Sequence, residues 1–507
     1  MNSKNRHIVI IGSGISGLVC AALLAKKGYA VTVLEKNHQI GGTLQVFSRD
    51  KAAFDTGVHY VGSLDEGETL NKLFNYLGIL DTLSLKRMDE HGFDVIRLDD
   101  GFSINHGMGY DNFTFQLKNS FPNNHEDVDN ICQEIKKYCT YFPLYNLELD
   151  AAINYVSNPE ILEVGAWDKL HELTKNEKLI HTILGSGPLY CGLKDKTPFY
   201  VLALILNSYI KGSYRFSNGS SQLAKALVKK IRSFGGKVLK RKKVIQLHYS
   251  ENGEVNSVSC SDGTSYTCEA LISSLHPNET IKMAGKQYFK PAYRARMDKV
   301  ENTTSTFMLY LSFKKNKVTY LNANYYDYFT ADFWNKEFEY SDEWPKMTFT
   351  SFNHSSGDNQ YTNSCSVMCY MDANVFKEWK QSIRTVVDNN EREELYYAFK
   401  KKCEVQILDR VKQRFPDLIQ HIVSIHSSSP LTYRDFLASP DGSMYGIQKD
   451  YKKIHHTQVN TRTHIPNLYL TGQNVLFHGI LGASLGAMIT SFHFIDKQEL
   501  VSEIKQC

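Results

Sequence analysis

Residues 7–36 read HIVIIGSGISGLVCAALLAKKGYAVTVLEK, and this stretch decides the fold of the N-terminal region. Residues 7–11 are mostly β-branched, residues 16–27 are rich in Ala and Leu, and residues 29–34 are again β-branched. This order predicts a strand, a helix and a second strand. A βαβ unit of this kind indicates a parallel sheet with helices packed against it, so the predicted fold class is α/β.

The turn between the first strand and the helix carries a G-x-G-x-x-G motif, made of Gly12, Ser13, Gly14, Ile15, Ser16 and Gly17. In such a motif the first glycine permits a tight turn, the second lets the backbone approach a pyrophosphate, and the third allows close packing of helix on strand. Glu35 ends the second strand, where an acidic side chain can bind ribose hydroxyls. The motif therefore predicts a dinucleotide site at the N-terminus of the helix.

Two further glycine segments bear on which dinucleotide binds. Gly41-Gly42-Thr43 and Asp55-Thr56-Gly57 follow soon after the ribose acid, which suits a chain that passes the pyrophosphate again and favours FAD over NAD. Gly185-Ser186-Gly187 lacks the strand, turn and helix context and is predicted to be a loop. Without a second dinucleotide motif, we expect electrons to come from a separate donor.

Composition limits the class of protein. The 507 residues are 42% hydrophobic and 22% charged, with a formal net charge of +4, so we expect a globular protein that does not bind nucleic acid. The mean hydropathy of -0.36 argues against a polytopic membrane protein. The ten cysteines form no C-x-x-C pair and lie at no zinc-binding spacing from histidines. We therefore expect a reducing, cytoplasmic location and no metal.

Three apolar stretches need an explanation. Residues 8–25 and 463–495 contain no charged side chain, but both hold glycines or polar residues that would be costly in lipid. They are predicted to be buried strand, turn and helix. Residues 199–210 are too short to span a bilayer and fit either a core helix or the wall of an apolar pocket. This helix, or the basic run at residues 237–243, is a hypothetical site of peripheral membrane contact.

Sequence segments at both ends resemble one family. Residues 8–36, 41–43 and 54–62 are similar to the N-terminus of the family that contains retinol saturases, carotenoid isomerases and phytoene desaturases. The segments SPLT at 429–432, IPNLYLTGQ at 465–473 and the glycine-rich run at 479–487 resemble its C-terminus. The match covers roughly the first 70 and last 80 residues, together with residues 217–221. Asn474 stands where the vertebrate pattern has Asp, so this position carries no charge.

The resemblance implies a fold and a division of the chain. The family has a Rossmann-type FAD-binding domain of the amine-oxidase and glutathione-reductase kind, with an inserted substrate domain of mixed sheet and helices. Carried over, residues 1–75, 216–285 and 436–507 would form the FAD-binding domain. Residues 76–215 and 286–435 would form the substrate-binding domain.

The resemblance also implies roles for individual residues toward FAD. The pyrophosphate would lie at the glycine motif, including Ser13 and Ser16, and the adenosine ribose at Glu35 and Lys36. The remaining contacts would be made by Gly41, Gly42, Thr43, Gly57, Val58, His59, Val244 through its backbone, Gly472, Gln473, Leu481, Gly482 and Ala483. The last three would direct helix N–H groups toward the flavin, where reduced flavin carries negative charge.

Flavin chemistry at an isolated double bond needs few protein groups beyond a proton donor and a dry pocket. The candidate donors are His59, Tyr60 and His478. The resemblance implies an FAD-dependent reductase of a polyene or isoprenoid C=C bond, a lipophilic small-molecule substrate. A carotenoid cis-trans isomerase or a desaturase is the alternative, and a non-catalytic lipid or prenyl escort protein is a remote one.

Overall fold

The computed structural model describes residues 6–149, 156–335, 337–357, 360–386, 388 and 390–507. A parallel sheet forms around the N-terminal strand. In spatial order its described strands are Leu468–Leu470, Ala270–Ser273, His7–Ile11, Ala30–Leu34 and Lys237–Leu239. All neighbouring pairs in this sheet are parallel. The predicted βαβ unit and α/β class are confirmed.

Two apolar helices cover this sheet. Ile15–Lys26 follows the first strand, and Gly479–Ser491 packs against it. Both helices are apolar around their whole circumference and almost completely buried, as expected for helices inside a core. The uncharged stretches at residues 8–25 and 463–495 are therefore buried strand, turn and helix, as their sequence predicts.

The structure contains a second large sheet, the mixed sheet, in which the strands pair in both parallel and antiparallel directions. In spatial order its described strands are Ile422–Ser428, Ser305–Phe313, Ser364–Met371, Met347–Phe352, Asn324–Tyr328, Asp94–Arg97 and Ser103–His106. Only the pair formed by Asn324–Tyr328 and Asp94–Arg97 is parallel among these described strands. The strands Ser305–Phe313, Met347–Phe352 and Ser364–Met371 are buried along their whole length, and each combines apolar residues with buried Ser or Thr.

The remaining elements surround these two sheets. A three-stranded antiparallel sheet contains Val244–Tyr249, Val255–Cys260 and Ser265–Thr267. The two-stranded pairs are Val46–Arg49 with Ala52–Asp55, Leu85–Arg87 with Tyr214–Phe216, and Val318–Thr319 with Tyr361–Thr362. The other α-helices are Thr69–Tyr76, Tyr110–Ser120, His125–Thr140, Ala166–Leu173, Glu177–Leu184, Phe199–Ile210, Ser221–Ser233, Pro277–Ala284, Pro291–Lys299, Glu394–Arg414, Pro430–Leu437, Ile454–Thr457 and Lys497–Lys505.

The two large sheets draw on different parts of the chain. The parallel sheet uses strands from residues 7–34, 237–273 and 468–470, whereas the mixed sheet uses strands from 94–106 and 305–428. This distribution is compatible with a discontinuous first domain and an inserted second one. The domain boundaries themselves stay a prediction.

The structure corrects one hypothesis about membrane contact. Helix Phe199–Ile210 is buried along nearly its whole length, so it offers no face to a lipid surface. The basic run begins with the edge strand Lys237–Leu239, and Lys237 and Lys240 are exposed. No helix in the described ranges is both long and apolar enough to cross a bilayer.

The central position of the first strand makes a stability prediction. Ile10 is completely buried between two neighbouring strands. Ile10→Ala should lower the free energy of unfolding by about 2–5 kcal/mol because it leaves a cavity in the core. Chemical denaturation measures this loss. Ile245→Ala is the control, since Ile245 is 53% exposed and its truncation should change the free energy little. An equal loss of unfolding free energy for both variants would contradict the placement of Ile10 in the core of the parallel sheet.

Candidate active site

The glycine motif forms a tight loop whose middle is open. A Cβ atom added to Gly17 would lie 2.3 Å from the carbonyl oxygen of Gly12, and one added to Gly12 would lie 2.4 Å from Oγ of Ser274. A Cβ on Gly14 would meet no atom within 4 Å. The first and third glycines are thus required by packing of the protein, whereas the second leaves space for a ligand at the N-terminus of helix Ile15–Lys26. This open backbone fits a bound pyrophosphate.

Ser13 and Glu35 hold this loop in place. The backbone N–H and the hydroxyl of Ser13 both donate to Oε2 of Glu35, at 3.1 and 2.6 Å. The N–H of Gly41 donates to Oγ of Ser13 at 3.1 Å. Glu35 is buried, and its other oxygen accepts from the N–H of Asn37 at 2.8 Å. The acidic side chain therefore organises the loop, and its predicted contact with ribose stays a prediction.

Lys36 and Val244 lie at the outer end of this loop. The amine of Lys36 donates to the carbonyl of Asp435 at 2.8 Å, and burial lowers the pKa of Lys36. Val244 begins a strand two residues after Lys242, whose N–H donates to the carbonyl of Glu35 at 2.7 Å. The structure brings Val244 next to the predicted adenosine end, whereas the amine of Lys36 is engaged by a backbone carbonyl.

The second glycine pair passes directly beside the first loop. A bridge joins Gly14 and Gly41, and a Cβ on Gly42 would lie 3.2 Å from Cα of Gly14. Gly41 has φ +112°, which favours glycine. A Cβ on Gly57 would lie 3.1 Å from Cβ of Thr43. Gly41 and Gly42 thus approach the open backbone at Gly14, and Gly57 packs against the adjoining Thr43. This is the arrangement that the sequence predicts for a chain that passes the pyrophosphate twice.

The C-terminal segment completes this side of the site. Thr471 and Ser16 share a hydrogen bond of 2.8 Å between their hydroxyl groups. Gly472 has φ +108°, and its carbonyl oxygen lies 3.2 Å from the position of a Cβ on Gly486. Residues 16 and 472, far apart in sequence, are therefore adjacent. Asn474 accepts from the N–H of Ile447 at 2.9 Å through its amide oxygen, a contact that needs no charge.

A large cavity opens beside these segments, and we call it the central cavity. It has a volume of about 1060 Å³. One wall comes from Ile15, Thr43, Leu44, Thr56, Gly57, Val58, Gln473 and Ala483, and the other from Thr306, Met308, Tyr326, Phe349, Met368, Tyr433 and Tyr445. Across this space, side chains of the mixed sheet face part of the predicted FAD set, namely Thr43, Gly57, Val58, His59, Gln473 and Ala483.

A second apolar cavity adjoins the first, and we call it the side tunnel. It has a volume of about 630 Å³ and shares Tyr60, Tyr209 and Ile480 with the central cavity. Its other walls are Val201, Leu204 and Ile205 of helix Phe199–Ile210, with Phe477, His478, Leu481, Gly482 and Leu485 near the C-terminal helix. Helix Phe199–Ile210 is therefore the wall of an apolar pocket, one of the two interpretations that its sequence allows.

Leu481, Gly482 and Ala483 divide between the two cavities. Ala483 lines the central cavity, whereas Leu481 and Gly482 line the side tunnel. A Cβ on Gly482 would lie 2.5 Å from Cβ of Phe477, so packing within the protein already requires glycine there. All three lie in the first turns of helix Gly479–Ser491. Their contact with flavin stays a prediction.

The two candidate histidines are neutral bases that are hard to protonate. Burial, and to a smaller degree the charge of Arg215, lower the pKa of His59 to about 3. Burial and the charge of Lys449 lower the pKa of His478 to about 3. Nδ1 of each ring has no hydrogen-bond partner among the residues that the structure describes. Neither ring is a cation at neutral pH, which weakens the case for either as an imidazolium acid.

Tyr60 has partners that its sequence position does not suggest. Its hydroxyl donates to Oδ2 of Asp94 at 2.8 Å and lies 2.6 Å from the hydroxyl of Tyr326. Burial, and then the neighbouring Asp94, raise the pKa of Tyr60 well above its usual value. Asp94 and Tyr326 lie 34 and 266 residues away in sequence. No local pattern marks them, and sequence reasoning missed both.

A third cavity, of about 630 Å³, is polar, and His59 lies between it and the central cavity because this residue lines both. It is lined by Asp55, Arg215, Asn218 and His354, among others. Asp55 accepts from the N–H and the hydroxyl of Ser220, at 2.7 and 2.6 Å, just before helix Ser221–Ser233. Within the described ranges, no group of three His, Cys, Asp or Glu side chains could hold a metal ion.

The fold and the open glycine loop define a dinucleotide-binding protein with an apolar cavity beside the cofactor segments. The chain belongs to the flavin containing amine oxidoreductase family, whose model matches residues 15–483. The protein is an oxidoreductase, and its cofactor is FAD. The family assignment confirms the predicted class of flavoprotein.

Comparisons with individual proteins agree with this assignment. The chain is 25% identical to all-trans-retinol 13,14-reductase of Homo sapiens, over 98% of this chain and 87% of that protein. It is 24% identical to prolycopene isomerase 1 of an Oncidium hybrid cultivar, over 92% and 79% of the two chains. A variant of putrescine oxidase has the same fold, with a TM-score of 0.66, 13% identity and coverage of 97% and 98%.

The glycine loop makes a prediction about cofactor binding. Gly14→Ala should leave the fold intact, since the new methyl group meets no protein atom. It should weaken FAD binding tenfold or more, about 1.4 kcal/mol, because the methyl group occupies the space of the ligand. Fluorescence titration of the apoprotein with FAD measures the affinity. Gly17→Ala is the contrast, because its methyl group clashes with Gly12 and should lower the melting temperature of the apoprotein. Unchanged FAD affinity in Gly14→Ala would contradict the placement.

Proposed function

We propose that this enzyme reduces a carbon–carbon double bond of a lipophilic polyene or isoprenoid, with a separate protein or small molecule as electron donor. The observation that carries the proposal is the lining of the central cavity and side tunnel. None of the described residues around either space is Asp, Glu, Lys or Arg. An ammonium substrate would have no carboxylate partner there, and burial of an unpaired charge is costly. An uncharged, elongated molecule suits both spaces.

The names of the relatives support the same substrate class. One is a reductase of retinol and the other an isomerase of prolycopene, and both of those molecules are polyenes. Bound flavin supplies the hydride or electron chemistry. The protein excludes water, holds the polyene between the cofactor segments and the mixed sheet, and delivers a proton. Peripheral contact with a membrane would give access to such a substrate.

A redox-neutral cis-trans isomerase is the second candidate function, favoured by the similarity to prolycopene isomerase. A desaturase would use the same cavities in the opposite redox direction. A non-catalytic lipid-binding protein is the remote alternative, and the open backbone around Gly14 speaks against it.

The decisive experiment begins with the absorption spectrum of the purified protein, followed by anaerobic reduction with dithionite and addition of candidate polyenes. A reductase should regain the spectrum of oxidised flavin as an equal amount of polyene loses a double bond. Flavin that stays reduced while the polyene changes isomer would instead establish the isomerase. A colourless protein that FAD cannot reconstitute would overturn the proposal.

The side tunnel makes a prediction about chain-length tolerance. Ile205→Trp should fill part of the tunnel and weaken binding of a long polyene tenfold or more, about 1.4 kcal/mol. Binding is measured through the absorption of the polyene on titration with protein. Leu206→Met is the control, because Leu206 is buried on the same helix, lines neither cavity, and tolerates a swap of similar volume. Equal affinity for Ile205→Trp and the control would place the polyene elsewhere.

A further inference from the structure

A chain of three buried oxygen groups leads from the interior to the central cavity. The carboxyl of Asp94 is bonded to the hydroxyl of Tyr60 at 2.8 Å, and this hydroxyl lies 2.6 Å from that of Tyr326. Tyr60 and Tyr326 both line the central cavity, whereas Asp94 does not. Asp94 is 1% exposed and Tyr326 is fully buried. The chain therefore has one end in the protein interior and the other at the ligand space.

The neighbours of Asp94 decide which carboxyl oxygen can carry a proton. Arg215 has only donors, and its Nη2 donates to Oδ1 of Asn324 at 2.8 Å. The amide nitrogen of Asn324 must then point the other way, and it donates to Oδ1 of Asp94 at 2.9 Å. With Oδ1 already accepting this N–H, a proton on the carboxyl resides on Oδ2. Oδ2 is the oxygen that faces the hydroxyl of Tyr60.

We propose that Asp94, Tyr60 and Tyr326 form a proton-supply chain that ends at the hydroxyl of Tyr326 in the central cavity. The inference rests on the proposed function and names its proton donor. With Asp94 protonated, its Oδ2–H donates to Tyr60, Tyr60 donates to Tyr326, and the proton of Tyr326 faces the cavity. With Asp94 ionised, Tyr60 donates to Asp94 and Tyr326 donates to Tyr60, so no proton of the chain faces the ligand.

The transfer conserves atoms and charge. The O–H bond of Tyr326 breaks as its proton forms the new C–H bond of the ligand. Tyr326 takes the proton of Tyr60, and Tyr60 takes the proton from Oδ2 of Asp94, which becomes a carboxylate. Asp94, Tyr60 and Tyr326 transfer protons only and carry no electrons. The two electrons of the reduction come from a hydride donor, a reduced flavin in the proposed function. Between turnovers a proton from solvent enters at the hydroxyl of Tyr326, and the protons of Tyr326 and Tyr60 shift back along the same hydrogen bonds to restore Oδ2–H of Asp94.

The surroundings of Asp94 raise its pKa into the neutral range, so the acid and the carboxylate forms are both populated there. Burial raises the pKa of Asp94 to about 7, against the lowering effect of the bonds from Asn324 and Tyr60 and of the charge of Arg215. The other titratable groups that face it are Tyr326, Tyr209 and His106, which is its register partner on the neighbouring strand. Burial lowers the pKa of His106 to about 4, so that ring adds no positive charge. Asp94 can thus gain and lose a proton during turnover.

The location of the proton can be tested without turnover. Infrared spectra of the full-length, FAD-loaded protein from about pH 5 to about pH 9 should contain a carboxylic-acid carbonyl band that fades through neutral pH. Asp94→Asn should remove this band from the difference spectrum. Burial also raises the pKa of Asp55 to about 6 and of Glu337 to about 7, but these groups are common to both proteins and cancel.

Stability provides a second measurement that does not depend on activity. The folded-state pKa of Asp94 is raised above the unfolded value of about 4. The native protein therefore binds more protons than the unfolded chain in this range, and the stability from Asp94 is lost as pH rises from about 4 to about 7. Relative to Asp94→Asn, the wild type should lose stability across this window in urea denaturation. A pH-independent difference would overturn the inference.

Steady-state kinetics test Tyr326, the member of the proton-supply chain that is proposed to deliver the proton to the ligand. Tyr326→Phe should lower kcat for polyene reduction about 10²-fold or more with little change in KM, because it removes the proton donor and keeps the ring. Asp94→Asn should lower kcat similarly and abolish its dependence on pH near neutrality. Tyr190→Phe is the matched control, since Tyr190 is buried, lines neither apolar cavity, and its hydroxyl has no partner within the described ranges.

The outcomes separate this inference from the proposed function. If no polyene is turned over but the infrared band and the stability difference behave as expected, the proposed polyene reduction is wrong. The assignment of Asp94 as a buried, protonated acid is then still supported. If the wild type reduces a polyene and Tyr326→Phe matches Tyr190→Phe in kcat, the proton-supply chain is wrong. An acid band absent from the wild type at about pH 6 would overturn the chain whatever the activity.

Discussion

The arrangement of the cofactor side depends on one close approach of backbone, where Gly17 packs against the carbonyl of Gly12. A single Cβ atom at Gly17 would lie 2.3 Å from that oxygen. The same loop is tied to its neighbours, since the N–H of Gly12 donates to Leu34 at 2.9 Å and the hydroxyl of Ser274 donates to Ile11 at 2.8 Å. Three strand ends thus converge on one loop. Because this loop has no room to shift, the helix that follows it starts at a defined place, with its N-terminal N–H groups free for an anionic ligand.

Apolar burial shapes the rest of the site. The central cavity lies between the glycine segments and the mixed sheet, and the side tunnel extends it along helix Phe199–Ile210. Removing a charged group from water disfavours its charged form, whatever its sign. This single effect keeps His59 and His478 neutral and raises the pKa of Asp94 to about 7. The surroundings of the cavity therefore carry little charge near neutral pH, which suits an apolar ligand.

The polar groups that remain inside are bonded to one another. Arg215 donates to the carbonyl of Ala323 and the amide of Asn324, both at 2.8 Å, and also contacts the hydroxyl of Ser351. The amide nitrogen of Asn324 in turn donates to Oδ1 of Asp94, and Oδ2 of Asp94 is hydrogen-bonded to the hydroxyl of Tyr60. A buried network of this kind is costly when incomplete, so each member constrains its neighbour. The strand pairing of Asp94–Arg97 with Asn324–Tyr328 is what brings these groups into contact.

Sequence alone determined the βαβ unit and the glycine loop, because both lie within residues 7–36 and depend on local patterns. It also determined the cofactor class, through the glycine segments at 41–43 and 55–57 and the family resemblance. Only the tertiary structure decided that Phe199–Ile210 walls a cavity, because an apolar run has the same sequence pattern in a core and beside a pocket. Only the tertiary structure joined Tyr60 to Asp94 and Tyr326, since hydrogen bonds between distant strands depend on sheet register and on burial, and neither is encoded in a local motif.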